Sequence, residues 1–307
     1  MGLPTRWRGR WRPLRSLAAG GLLVGAIARP APTATIQYTA DSVTDGVTGG
    51  VIGGSAVPGF ELYGMGYVQR GDRLYVGFST HLPIGGYDQS LVGVPVAGGS
   101  IAWGDLFLNF SGQSFDQALA VGDLYGIRFD AANDSGVPQL GLYRVTTVQS
   151  VTALNSGFDS LNQYITTVVQ QGGTPDMGAV PLDGSYFNQT IAMGNAIATG
   201  TLLASDVTFI RDFSAHGFAA DFGFGANLPA TGAFTYGFSV GTEKLPLGEF
   251  VAHVFAECIN DGLAFRGSLS AVRPPASNPG AAVPEPSMGI ALGLVSCLGL
   301  RLRRRMD

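Results

Sequence analysis

The sequence predicts a mainly β chain, an antiparallel two-sheet β-sandwich of jelly-roll-like kind with one short helix. It also predicts an N-terminal signal helix and a C-terminal transmembrane helix flanking that domain. Three observations carry this reading. Gly, Thr, Val, Ser and Phe are plentiful while the helix formers Lys and Glu are nearly absent, Lys244 being the only lysine in 307 residues, a bias toward strands and turns. Strand-like runs separated by turn residues recur through the middle of the chain, as in a two-sheet domain. The two ends differ in kind, since ten of the 18 basic residues lie outside residues 35–288.

Taken in order, Arg6, Arg8, Arg10, Arg12 and Arg15 precede the apolar run Leu17–Ala28, and small residues follow at 26–28 and at Thr33-Ala34. A basic segment, an apolar segment and a small-residue site make a secretory signal peptide over residues 1–34. No Arg-Arg pair precedes the apolar run, which favours the Sec route over twin-arginine export. The small residues allow cleavage after Ala28 or after Ala34.

Residues 35–272 read as one domain. Ile36–Ala40 and Phe60–Gln69 are the first strands, and Arg70-Gly71-Asp72-Arg73 turns the second into Leu74–Thr80, with Gly-Asp in the place a tight hairpin requires. Arg70-Gly71-Asp72 spells an adhesion tripeptide, but turn geometry accounts for it. Further strands are expected at Asp105–Phe110, Leu124–Phe129, Gly141–Ser150, Leu203–Ile210, Gly217–Phe222, Phe234–Val240 and Glu249–Glu257. Phe158, Leu161, Ile165, Val168 and Val169 recur at helical spacing, predicting a helix over 157–171 capped near Asn155-Ser156. Pro175–Thr199 lacks periodicity and is expected to form long loops. Proline-rich residues 273–283 form a semi-extended linker.

The tail, residues 284–307, begins with Pro-Glu-Pro. Val283, Pro284, Glu285, Pro286 and Ser287 precede an apolar stretch, 288–300, and the basic residues Arg301, Arg303, Arg304 and Arg305 follow it. The apolar stretch is short for a ~30 Å hydrocarbon core, and arginine stems can snorkel to the interface. The basic cluster acts as a stop on the cytoplasmic side.

This tripartite tail, paired with a signal peptide, resembles the PEP-CTERM sorting signal of Gram-negative bacteria. The resemblance implies recognition and processing by an exosortase, an integral-membrane cysteine protease, in bacteria that make exopolysaccharide and form biofilms. A broader likeness covers most of residues 35–270. The Tyr38…Asp45-Gly46 opening, Trp103-Gly104-Asp105-Leu106-Phe107-Leu108-Asn109-Phe110 and His253…Cys258-Ile259-Asn260-Asp261-Gly262 resemble an exosortase-dependent surface-protein family of cyanobacteria. Ile259 stands where related proteins carry a glycine. That family implies export and surface display, and it supplies no catalytic residue.

Between the signals the chemistry is sparse. Residues 35–288 carry eight basic and 21 acidic side chains, net −13. Such a domain repels phosphate and excludes nucleic acid as a partner. Cys258 and Cys297 show no metal-ligand or redox spacing. His253 and Glu257 share a strand face while Cys258 points the other way, which disfavours a Cys/His dyad and leaves a structural histidine. Trp103 at the start of a strand reads as core before it reads as a sugar-stacking platform. No nucleophile elbow or phosphate loop occurs, and no catalytic residue is assigned.

Carboxylates do cluster in turns with Asn, Ser and Gly, at Asp41–Asp45-Gly46, Asn133-Asp134-Ser135-Gly136 and Asn260-Asp261-Gly262. Calcium is bound by oxygens of this sort, so Asp41, Asp45, Asp134 and Asp261 are the candidate metal ligands, although turn chemistry alone also explains them. The expectation is a non-enzymatic protein exported across the inner membrane by Sec and processed by an exosortase. The C-terminal helix holds it transiently, before display at the cell surface or in a matrix of extracellular polysaccharide. The alternatives are a calcium-assisted carbohydrate-binding module and a secreted glycoside hydrolase.

Overall fold

The structure is a computed structural model that describes residues 34–53, 59–96 and 98–272. The signal peptide except Ala34, the linker, the sorting motif, the apolar tail and its arginines lie outside the described residues. Ala34 is exposed.

Eleven strands build two antiparallel sheets. In chain order they are β1 (Gln37–Ala40), β2 (Leu62–Arg70), β3 (Arg73–Thr80), β4 (Leu106–Asn109), β5 (Leu124–Arg128), β6 (Gly141–Gln149), β7 (Ala196–Ala204), β8 (Thr208–Ile210), β9 (Phe234–Gly241), β10 (Gly248–Phe255) and β11 (Gly262–Leu269). The five-stranded sheet runs β1-β2-β3-β9-β8 and the six-stranded sheet β7-β6-β5-β4-β10-β11. The predicted hairpin is present, with Arg70 opposite Arg73 and Gly71 at φ +57°. Inward-facing residues of both sheets, among them Met65, Val76, Phe78 and Phe238 from one and Leu108, Ile127, Val254 and Phe265 from the other, form one buried cluster.

Both sheets are also covered on their outer faces, and this is where the sequence expectations fail. Outside the six-stranded sheet lie helix α1 (Phe115–Val121), helix α2 (Leu161–Gln170) and the segment 175–195, which bury Phe115, Tyr164, Met177, Phe187 and Met193 against Phe107, Val251 and Phe255. The expectation of one helix is therefore corrected to two, with four-residue α-turns at Gln89–Val92 and Phe224–Asn227 and 3₁₀ turns at Thr152–Asn155 and Phe213–His216. Helix α2 starts later than the apolar stripe suggests, because Ser160 provides the cap: its hydroxyl accepts a hydrogen bond from Gln163 N at 3.3 Å.

Outside the five-stranded sheet, Gly66, Gly77 and Gly237 lie side by side in register on three adjacent strands. A Cβ on Gly77 would stand 2.5 Å from the Phe222 ring. The bare row makes room for Phe213 and Phe222, stacked at 4.2 Å. The expected strand Gly217–Phe222 is thus a turn-rich cover, with Phe222 at φ +56°. The expected strand Leu203–Ile210 divides into the end of β7 and β8, with Ser205–Val207 between them. Strand β7 takes the last four residues of the stretch 175–199 expected as loop, and β11 is a strand to which the sequence reading assigns only a turn at its start.

Candidate metal centre

The carboxylates of Asp41, Asp45 and Asp261 converge. Each is 5% exposed or less, and one oxygen from each lies within 4.8 Å of the others. Local structure brings them there. Asp41 directly follows β1, and its N–H donates to Tyr63 O at 3.1 Å. The chain then doubles back so that Gly46 N donates to Glu61 Oε2 at 3.0 Å. Only glycine allows this approach, since a Cβ on Gly46 would sit 2.5 Å from Glu61 Cα. Asp261 comes from the turn between β10 and β11, 199 residues along the chain from Leu62, whose N–H it accepts at 2.7 Å. The two turns are clipped together, with Val47 N donating to Asn260 O and Asn260 Nδ2 donating to Val47 O at 2.7 Å.

That β10–β11 turn forms with Ile259 at a position where a glycine would be unstrained. Ile259 sits at φ +49°, fully buried, a left-handed conformation that costs a β-branched residue on the order of 1–2 kcal/mol. Burial of its side chain offsets the cost.

Glu61 and Tyr164 border the same space. Both oxygens of Asp41, Oδ1 of Asp45, Oε1 of Glu61 and the Tyr164 hydroxyl are buried and have no hydrogen-bond partner. Among the described residues the one ion pair is Arg73–Asp206 at 2.9 Å, elsewhere on the molecule. Burial therefore pushes the carboxyls of Asp41, Asp45, Glu61 and Asp261 up, and repulsion among neighbouring carboxylates, which for Asp41 and Asp45 include Asp176, pushes them further. Burial raises the Tyr164 hydroxyl well above its ordinary value, and the neighbouring carboxylates add to the shift. Glu61 and Tyr164 are missed by the sequence reading, although a carboxylate set between Phe60 and Leu62 is a legible anomaly.

Asp134 is corrected out of this set. Its Oδ2 accepts from Asn155 Nδ2 at 2.9 Å and its N–H donates to Glu257 Oε1. It belongs to a second buried network in which Glu257 also accepts from Ala102 N at 2.7 Å, and Asp105 accepts from Ile197 N, Asn133 Nδ2 and Ser135 Oγ. Every Asp105 and Glu257 oxygen in it is satisfied. Burial pushes Glu257 up to about 8 and Asp105 up to about 6.

The remaining singled-out residues are structural. His253 stacks on Phe107 at 5.4 Å and meets Phe115 and Phe187 edge-on. Burial drives its imidazole down to about 3, so it stays neutral. It makes no hydrogen bond to Glu257. Cys258 is fully buried and burial raises its thiol, the opposite of an activated nucleophile. Trp103 is core, with Nε1 donating to Tyr236 Oη at 2.6 Å. Arg70 of the adhesion-like tripeptide is held down, donating to His216 O at 3.0 Å and lying 3.4 Å over the Phe218 ring.

Among the described residues no helix is long and apolar enough to cross a membrane. No protein-family model, curated protein or solved structure matches this chain.

Proposed function

We propose that this chain is an exported, exosortase-processed protein of the cell surface or extracellular matrix, and that its folded part acts by being displayed rather than by catalysis. The observation that carries the reading is the pairing of a basic–apolar leader with the tail Val283–Ser287, its apolar stretch and its terminal arginines. In this reading the two sheets stack as a jelly-roll-like β-sandwich, held off the membrane by the 273–283 linker until the tail is processed. The cluster drawing on both sheets supports the stacking. The interior supports the non-enzymatic role. His253, Cys258, Asp105 and Glu257, the groups a hydrolase would draw on, are all fully buried and, apart from Cys258 and His253 Nε2, engaged in hydrogen bonds with their neighbours. The acidic surface suits a protein dispersed among anionic polysaccharides.

Intact mass of the protein recovered from the cell surface, with both termini mapped, tests the proposal. The expected result is a start after Ala28 or Ala34 and an end near Pro284–Pro286. Protein that retains residues 288–307 would show the tail to be an ordinary anchor and overturn the sorting reading.

A further inference from the structure

We infer that Asp41, Asp45 and Asp261, with Glu61 beside them, form a calcium site that fastens the N-terminal segment of the domain to the β10–β11 turn. This rests on the folded domain and stands or falls independently of the sorting reading.

The geometry meets the requirements of a hard cation one by one. Ligands bound to one calcium ion at about 2.3–2.6 Å lie at most about 5 Å apart, and the three aspartate oxygens fall within 4.8 Å of one another. All the donors are oxygens, the set calcium takes and zinc or copper does not favour. Four carboxylate oxygens there are buried and unpartnered. Asp261 still has lone pairs to give, since each of its oxygens accepts a single hydrogen bond, from Gly262 N and Leu62 N.

An independent observation points to the same ligand. The Tyr164 hydroxyl, on a side chain 1% exposed, reaches toward Asp45 from helix α2 but makes no well-formed hydrogen bond there. A buried polar group left in that state is costly, and an ion or its water would satisfy it. Like-charged carboxylates gathered without a counter-charge need either protons or a cation, and the open acceptor positions suit a cation. Magnesium holds its water shell and demands octahedral geometry, so this enclosed, carboxylate-rich site favours calcium. A groove of about 340 Å³ is lined by Phe60 and Asn260, the chain neighbours of Glu61 and Asp261, together with Val47 and Thr48.

The experiment is metal titration of the full chain after chelator treatment, followed by thermal unfolding and by terbium luminescence excited through tyrosine. Calcium should raise Tm by about 5–10 °C at ~100-fold excess over Kd, with magnesium giving much less, and terbium should light up and be displaced by calcium. Asp45→Asn and Asp261→Asn should each weaken calcium binding by at least about tenfold, while raising Tm in chelator because repulsion is relieved. Asp134→Asn should keep the calcium response. Tyr164→Phe should lower terbium luminescence. A wild-type Tm that ignores calcium up to about 5 mM, above the range of weak extracellular sites, overturns the inference. So does a calcium shift of equal size in wild type and Asp45→Asn. If the asparagine variants do not fold, calorimetry on the wild type decides, with one calcium per chain supporting the site and no binding heat refuting it.

Discussion

At the scale of the residue, the molecule places polar groups where apolar ones would cost less, and each placement has a measurable sign. His253 is neutral inside a cage of aromatic rings, with Nε2 unpartnered. Its folded pKa of about 3 lies below the ordinary 6.5, so between these values the unfolded chain binds the extra proton and stability is lost as pH falls. His253→Phe removes that liability. At pH 5 the variant should gain about 2 kcal/mol relative to wild type beyond any difference seen at pH 8, read from denaturant unfolding at the two pH values. The same scale shows what was legible early. Asp41, Asp45 and Asp261 were visible as acidic turn residues. Nothing local separated them from Asp134, because a carboxylate that joins the buried cluster and one that bonds a distant amide have the same kinds of neighbour in sequence.

At the scale of the element, local chemistry decided the outcome wherever one face of a segment stayed open. The β2–β3 hairpin and strands β4, β5, β6, β9 and β10 lie within two residues of where alternation and turn residues put them. Elements covered on both sides carried no alternation of their own. The four residues of β4 and the five of β5 are all buried, so only flanking turns marked them. Strand β11 follows the Asn260-Asp261-Gly262 turn so closely that turn chemistry masked its start. The Gly66–Gly77–Gly237 row reads as strand-weakening until the phenylalanines that fill it are known, and those come from a segment over 130 residues away in sequence from its first two members. Helix α2 gives a sharper test. Ser160 caps it and no acidic side chain supports its first turn, so Ser160→Ala should cost about 1 kcal/mol. The midpoint of urea unfolding should fall with an unchanged slope.

At the scale of the whole molecule, the candidate site is a product of topology. It joins the loop after β1, the start of β2, helix α2 and the β10–β11 turn, and no window of sequence spans these. Buried acids also give the fold a direction in pH. Glu257 has a folded pKa near 8 against an ordinary 4.5. Its contribution is therefore full below 4.5 and is lost as pH rises through 8. Above pH 6.5 the opposing effect of His253 has ended. Chelator-treated protein should accordingly lose stability between pH 6.5 and 8, by about 2 kcal/mol from Glu257 alone. A flat Tm across that interval would show that Glu257 is ionised in the fold at neutral pH. The ends of the domain carry a different consequence. Gln37 pairs with Tyr67 on β2, and Ser270 exchanges two hydrogen bonds with Gln69 on the same strand. The chain thus enters and leaves at neighbouring points, and an edge strand, β11, connects to the exit. Under drag on a flowing surface, a tether attached beyond residue 272 would open the Gln69–Ser270 clip first and then peel β11 from β10 one hydrogen bond at a time. Peeling would run from Leu269 toward Gly262 and arrive at Asp261, so the mechanical strength of the attachment would be set by what Asp261 holds.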